Sequence, residues 1–330
     1  MLESFKHIIS SIPSVNESNF EDIALQIFQF QAVNNPVYHS YLTSLHINPV
    51  KIASLSQIPF LPISFFKTHE VVSGRWIPEK EFFSSGTTGM MASKHLVWSL
   101  PFYLSNAEET FKRFFGPLTD YHILALLPSY LEREGSSLIA MMAHFIKQSQ
   151  SADSGFYLFN RDDLVRKIEL LKTSHKKVIV WGVSFALLDL AEKFEIDLSH
   201  CIIIETGGMK GRRKEWIREE LHEFLCKRLN VKIIGSEYGM TELMSQAYSV
   251  GNGQYRSPQC MKIVIREMND PFAPLSYNRV GGLNIIDLAN FHSCSFIETQ
   301  DLGKTTADGY FEVLGRMDNS DLRGCNLLVE

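Results

Sequence analysis

At 330 residues, 45% hydrophobic and 21% charged, the chain can bury a large core as one big domain or two ordinary ones. A formal net charge of −5 gives no general attraction to phosphate backbones, so no nucleic-acid partner is expected. No apolar run approaches the roughly 18 residues of a spanning helix, and the opening MLESFKHIIS lacks a small-residue cleavage site. The expectation is therefore a cytoplasmic protein with no membrane span.

The segment 1–57 reads mostly as helix, with a polar start at Asn19-Phe20-Glu21-Asp22 and apolar residues at helical spacing through IALQIFQFQAV. Ile58-Pro59-Phe60-Leu61-Pro62 stops helices, because each proline lacks a donor and restricts the residue before it. Within 58–248, short apolar runs at 122–127, 178–181, 201–204 and 231–234 alternate with helical stretches at 136–148, 162–172, 184–194 and 214–229. That alternation predicts a layered α/β core around an at least partly parallel sheet. From 249 to 330 the runs 262–266, 282–287, 292–298 and 310–314 are short, turn-bounded and strand-like, which predicts a small β-rich C-terminal subdomain.

Five cysteines (Cys201, Cys226, Cys260, Cys294 and Cys325) with no C-x-x-C pair argue against a disulfide framework or a thiolate zinc site. They read instead as small buried hydrophobes or reactive thiols, with Cys294 in a strand-like context that favours burial. The basic run 210–214 (KGRRK) is either a solvated helix start or a contact for an anionic ligand.

Four loops carry candidate chemistry. After Phe82-Phe83 come Ser84, Ser85, Gly86, Thr87, Thr88 and Gly89, which offer closely spaced N–H groups and hydroxyls with no bulky side chain. Such a loop suits nucleotide phosphates, although it is no Walker A motif; a plain polar turn is the alternative. Glu205-Thr206-Gly207-Gly208-Met209 follows a strand-like run, and paired glycines admit a flat ring closely or simply make a tight turn.

The third loop is Gly235-Ser236-Glu237-Tyr238-Gly239-Met240-Thr241-Glu242, also at the carboxyl end of a strand-like run, where ligands bind in α/β sheets. There Thr241 can bond a phosphate, Glu242 can hold Mg²⁺ and Tyr238 can stack on a base; a capped strand-to-helix turn is the alternative. The fourth comprises Asp301, suited to ribose hydroxyls, and Gly315-Arg316-Met317-Asp318; either could equally be a hairpin turn.

The order of these loops is that of the adenylate-forming superfamily of acyl-CoA synthetases, nonribosomal adenylation domains and luciferases. More narrowly, IPFLPISFFK, LPSYLER, ETGGMKGRR, SEYGMTELMSQAYS, HSCSF and DLRGC resemble the LuxE-type acyl-protein synthetases, over essentially the whole chain from about residue 10. The resemblance implies an adenylate-forming large domain and an ATP-dependent ligase that converts a fatty acid to acyl-AMP with Mg²⁺. It further implies transfer of the acyl group to a protein cysteine and onward to a fatty-acid reductase subunit. Ser84 through Gly89 would form the phosphate loop; Gly207, Gly208, Met209, Ser236, Glu237 and Tyr238 would surround the adenine. Thr241 would meet the α-phosphate, Glu242 the metal, Asp301 the ribose and Arg316 the nucleotide, with Asp318 at the interdomain hinge.

Two departures stand out. Lys94 is displaced from the place where many superfamily members carry Pro-Lys, so it is given no role. Only twelve residues follow Asp318, so the mobile C-terminal domain with its catalytic lysine is expected to be absent. Charge on the reacting phosphorus would then be met by Mg²⁺, backbone donors and Arg316. Cys325 stands where the resemblance implies the acyl acceptor, with Arg323 nearby to lower its pKa. Residues 182–187, a Gly turn leading into apolar residues, are the expected acyl pocket; His95 and His292 are expected to serve packing or hydrogen bonding. The rival readings are an acyl- or aryl-CoA ligase of the phenylacetate type using free coenzyme A, and a non-catalytic nucleotide- or acyl-binding subunit dependent on a partner. A purely structural α/β protein is the weakest of the alternatives.

Overall fold

The structure, a computed structural model, describes residues 8–84, 92–127, 135–157, 160–207 and 216–317. Its N-terminal part folds as helices α1 (Phe20–Asn34) and α2 (Pro36–Ser44). Helix α1 buries Phe20, Ile23, Ala24, Ile27, Phe28 and Gln31, one stripe at three- and four-residue spacing. Asn35 ends it in an extended conformation, and its side chain then accepts from Tyr38 N to cap α2, which has proline in its first turn. Strand β1 (Leu61–Pro62) and a single turn α3 (Phe65–Thr68) follow. Next comes the hairpin β2 (Lys80–Phe83) and β3 (Lys94–Val97), separate from the main sheet.

The central region alternates as its sequence predicts. In order it comprises α4 (Leu100–Phe115), β4 (Tyr121–Leu126), α5 (Ser137–Gln148), β5 (Gly155–Phe156), α6 (Arg161–Leu171) and β6 (Lys177–Val183). Then come α7 (Ser184–Lys193), β7 (Cys201–Thr206), α8 (Arg218–Leu229) and β8 (Gly235–Tyr238). All six residues of β4 are buried, the pattern of a strand covered on both faces. Strands β5, β4, β6, β7 and β8 lie side by side in parallel, so their carboxyl ends share one edge of the sheet. Phe111 and Phe145 pack against each other and against Trp181 of β6, fixing α4 and α5 to the sheet.

Beyond β8 the pairing turns antiparallel. Strands β9 (Ala247–Ser249), β10 (Tyr255–Arg256), β11 (Met261–Arg266), β12 (Gly281–Asp287), β13 (Phe296–Thr305) and β14 (Tyr310–Arg316) complete the chain's described elements. The hydrogen-bonded order is β11-β12-β13-β14-β10-β9-β8-β7-β6-β4-β5, with β1 parallel to β13; among the described residues this is one 12-stranded sheet. A mixed α/β molecule around a large central sheet is the class the alternation predicts.

Two local expectations fail. Residues 231–234 are not a strand, because α8 ends on Asn230 in the left-handed conformation and Val231 N closes that cap on Cys226 O. The strand begins only at Gly235, which pairs with Ile204. Residues 292–295 are likewise not extended. They belong to an irregular segment between β12 and β13, with Asn290, Phe291, His292, Ser293, Cys294 and Ser295 all fully buried.

Buried backbone outside a ladder needs other partners. Gln31 Nε2 donates to the Phe291 carbonyl at 3.0 Å, and Gln31 Oε1 accepts from Ser295 N at 3.0 Å. Asn35 Nδ2 donates to the Ser293 carbonyl at 2.9 Å. Gln31→Leu, similar in volume but unable to bond, should therefore destabilise the protein by about 2–4 kcal/mol. Urea unfolding should show a lower midpoint at unchanged slope; an unmoved midpoint would show that the segment does not depend on this amide.

Candidate active site

The neck of the Ser/Gly/Thr loop is closed by two bonds. Ser84 N donates to Ser93 O at 3.0 Å, and Ser84 Oγ accepts from Ser93 N at 2.8 Å. Ser85, Gly86, Thr87, Thr88 and Gly89 lie outside the described residues, as do Gly208, Met209, Asp318 and Cys325. The Ser93 side chain lies beside the Glu242 carboxyl, which is 5% exposed and whose pKa burial raises. The loop neck and the end of the YGMTE motif thus lie side by side. Lys94 is engaged elsewhere, 2.5 Å from Glu70.

The backbone of Thr241 and Glu242 is pinned from below. His95 Nδ1 lies 2.8 Å from Thr241 O, and Asn290 Nδ2 donates to Glu242 O at 2.7 Å and to Cys294 O at 3.0 Å. These two acceptors orient the Asn290 amide so that its Oδ1 faces His95 Nε2 at 3.1 Å. Burial pushes His95 down to about 4, so near neutrality the ring is uncharged and donates to one of its two oxygens. His292 stacks on His95 with ring centroids 5.6 Å apart. Asp287 takes the next stretch, accepting from Met244 N at 2.8 Å and Ser245 N at 3.0 Å. Of the two histidines expected to pack or hydrogen-bond, His95 thus does both and His292 packs, against His95, Trp76 and Phe291.

Strand β8 divides its side chains between two faces, since successive residues point oppositely. On one face Tyr238 Oη donates to Asp301 Oδ2 at 2.7 Å, and the Tyr238 ring packs edge-on against Tyr255 and Phe311. Asp301 sits in β13 opposite Arg316 of β14, and that register brings Arg316 Nε to 3.3 Å from Asp301 Oδ1. Neither residue is in a hairpin turn. Asp301 is 6% exposed, whereas the Arg316 side chain is 76% exposed. Ser236, buried on the same strand, aligns with this face by alternation.

Glu237 points the other way. Its Oε2 accepts from the Thr206 hydroxyl, and its Oε1 occupies the space where a Cβ on Gly239 would sit, 2.4 Å away. Gly207 has a left-handed φ of 71°, and its carbonyl accepts from Ser184 Oγ at 2.9 Å. Here an open cleft of about 120 Å³ is lined by Phe83, Tyr103, Ser136, Ser137, Leu138, Met141, Thr206, Gly207, Glu237, Gly239, Met240, Thr241 and Gln246. It lies at the carboxyl ends of the parallel strands, where side chains from separate elements converge. Residues 182–187, the expected acyl pocket, are instead packed into the core, with Gly182 against Leu187.

The structure therefore brings together Ser84, Gly207, Ser236, Glu237, Tyr238, Thr241, Glu242, Asp301 and Arg316 around one end of the sheet. Tyr103, Ser136, Ser137 and Gln246 join them without any motif in the sequence to mark them. The thiols of Cys260 and Cys294 are buried and pushed up to about 12 by that burial, which suits core residues. Among the described residues no cluster of three or more His, Cys, Asp or Glu side chains stands ready for a metal. Nor does any described helix have the length and apolarity to cross a membrane.

Neither a known family pattern nor a curated protein sequence matches this chain. Solved structures do. ATP-bound MatB from Rhodopseudomonas palustris is 15% identical with a TM-score of 0.55, over 73% of this chain and 49% of that one. O-succinylbenzoate coenzyme A synthetase (MenE) from Bacillus subtilis, in complex with AMP, is 19% identical with a TM-score of 0.52, again over 73% and 49%. A 2-hydroxyisobutyryl-CoA ligase in its postadenylation state is 11% identical with a TM-score of 0.64, over 89% of this chain and 66% of that one. The chain spans about half the length of the MatB and MenE structures. Its fold is that of the adenylate-forming enzymes.

Two tests address this geometry. Gly239→Ala should destabilise the protein by about 1–3 kcal/mol by displacing the Glu237 carboxyl, and by less than about 0.5 kcal/mol in a Glu237→Ala background, read as a thermal double-mutant cycle. For His95 the folded pKa is depressed from 6.5 to about 4. Its contribution is therefore intact above pH 6.5 and lost as the pH falls through 4, up to about 3 kcal/mol. His95→Gln should flatten the loss of denaturant midpoint across that window.

Proposed function

We propose that this protein activates a carboxylic acid with ATP, forming an acyl-adenylate and pyrophosphate. The observation that carries the reading is the Tyr238–Asp301–Arg316 cluster, set across β8 from the Glu237 cleft. Asp301, held by the Tyr238 hydroxyl, presents a carboxylate to the ribose hydroxyls. The exposed Arg316 meets the nucleotide's charge, and the Ser84–Gly89 loop cradles the terminal phosphates beside Glu242. The adenine lies near Gly208, Met209, Ser236 and Tyr238, while Gly207 and Glu237, expected beside it from the sequence, line the cleft on the other face of β8.

Glu242 suits a shared Mg²⁺. It is a lone hard oxygen ligand at the loop neck, desolvated enough to gain from a cation, which would complete its coordination with substrate phosphates and water. Bound there, the ion would supply charge neutralisation at the phosphates. Thr241, with its backbone fixed by His95, holds the α-phosphate against the incoming carboxylate. That carboxylate attacks in line, pyrophosphate leaves, and the mixed anhydride remains.

The finer reading follows the LuxE-like motifs: the acid is a fatty acid and the acyl group passes to the Cys325 thiolate, with AMP departing, for delivery to a reductase subunit. The similarity in fold to coenzyme A ligases favours one rival, in which free coenzyme A takes the acyl group.

Intact-protein mass spectrometry after incubation with Mg-ATP and a panel of acids separates these. An ATP-dependent gain of one acyl group, lost in Cys325→Ala and reversed by hydroxylamine, is the expected result. AMP and pyrophosphate without an adduct, with acyl-CoA forming when coenzyme A is added, would move the acceptor off the protein. Asp301→Ala should lower pyrophosphate exchange by about 100-fold or more, as for loss of a charged hydrogen-bonding group.

A further inference from the structure

The cleft opposite the nucleotide cluster is not the uniformly apolar slot that a plain hydrocarbon chain calls for. One wall is Gln246, only 3% exposed, just before β9. Its amide orientation is set by its neighbours. Tyr103 Oη donates its one proton to Ser137 O at 3.2 Å, so it can only accept from Gln246, whose Nε2 lies 3.5 Å away. Gln246 Oε1 is thereby turned away from Tyr103, and it has no hydrogen-bond partner although fully buried. The neighbouring Glu237 carboxyl takes one proton from Thr206, and its Oε1 borders Gly239 in the same lining. Two acceptor-bearing side chains thus line one cleft, on the side of β8 away from Tyr238 and Asp301. A buried acceptor left unmatched is unfavourable, and the preferred occupant is the one that brings a donor.

We propose that the acid activated here carries a hydrogen-bond donor on its chain, a hydroxyl or an ammonium, toward which the Gln246 amide oxygen, enclosed in this structure, turns with Glu237 beside it. This rests on the adenylation reading and narrows it. Gln246 is then the specificity-determining residue: a plain acyl chain leaves its oxygen unbonded, whereas a hydroxy or amino acid satisfies it. Phe83, Leu138 and Met141 in the same lining receive the chain's methylenes. Sites built to bond a substrate donor discriminate against the analogue that lacks it far more strongly than apolar pockets discriminate by size.

The test is ATP–pyrophosphate exchange by the full chain, which reports adenylation whatever the acyl acceptor. Butanoate, β-hydroxybutanoate and β-aminobutanoate are compared, and the same trio is repeated on a dodecanoate chain. In at least one trio a donor-bearing acid should exceed the plain acid in kcat/KM by about ten-fold or more. The hydroxy and amino arms identify the donor. Gln246→Met should collapse that ratio by a similar factor, and Gln246→Glu should shift preference toward the amino acid. Equal use of plain and substituted acids, or an equal loss for all acids in Gln246→Met, overturns the proposal while leaving adenylation standing. Exchange with no acid at all defeats the adenylation reading itself, and this inference with it. Should Gln246→Met not fold, the matched-acid comparison on the unaltered chain still decides.

Discussion

The site depends on how one buried, irregular stretch of backbone finds its hydrogen bonds. Asp287 through Ser295 runs through the interior without a strand partner for most of its length, an arrangement sustained only where side chains substitute for a ladder. Gln31 and Asn35 supply bonds from the N-terminal helices. The stretch then passes that order on: Asp287 fixes Met244 and Ser245, and Asn290 fixes Glu242 directly and His95 through its amide oxygen. The catalytic loop of the proposed enzyme is therefore held by residues that touch no substrate. Every one of those links is polar and buried, so losing one partner strands the other in a low-dielectric interior.

Strand geometry would then separate the two reactants of the proposed reaction. Because β8 alternates, Tyr238 and Glu237 sit one residue apart yet serve opposite faces, and the glycine after them leaves space for the Glu237 carboxyl. The register of β13 and β14 sets Asp301 against Arg316 without any loop having to place them. Rigid elements position both halves of the site, and the exposed arm of Arg316 is left as the adjustable part.

Much of this is legible in the sequence where burial is uniform or motifs are contiguous. The runs that became β4, β6 and β7 are apolar throughout because both faces are covered, and SEYGMTE and the isolated Asp301 announce themselves by order and spacing. Residues 231–234 mislead because β-branched composition is outweighed by the helix cap at Asn230. The buried segment at 292–295 misleads because the side chains of Gln31 and Asn35 that satisfy much of its backbone lie more than two hundred residues away. The cleft wall is invisible for the same reason. Tyr103, Ser137 and Gln246 belong to different elements, and the unbonded oxygen on Gln246 exists only through a chain of donors no local pattern encodes. Residues 182–187, apolar and preceded by a glycine, look like a pocket but close upon themselves, with Leu187 filling the space beside Gly182.

The bond between Gln31 and Phe291 joins positions 260 residues apart in the chain. During synthesis the first helices emerge long before the backbone they are made to receive, so Gln31 and Asn35 must wait, solvated, until the last strands arrive. Contacts of such separation are closed late and slowly. The turn at Thr241 and Glu242 consequently gains its fixed shape near the end of folding, and a nascent chain that stalls before Asp287 would carry the whole turn without the Asp287 and Asn290 bonds that hold it.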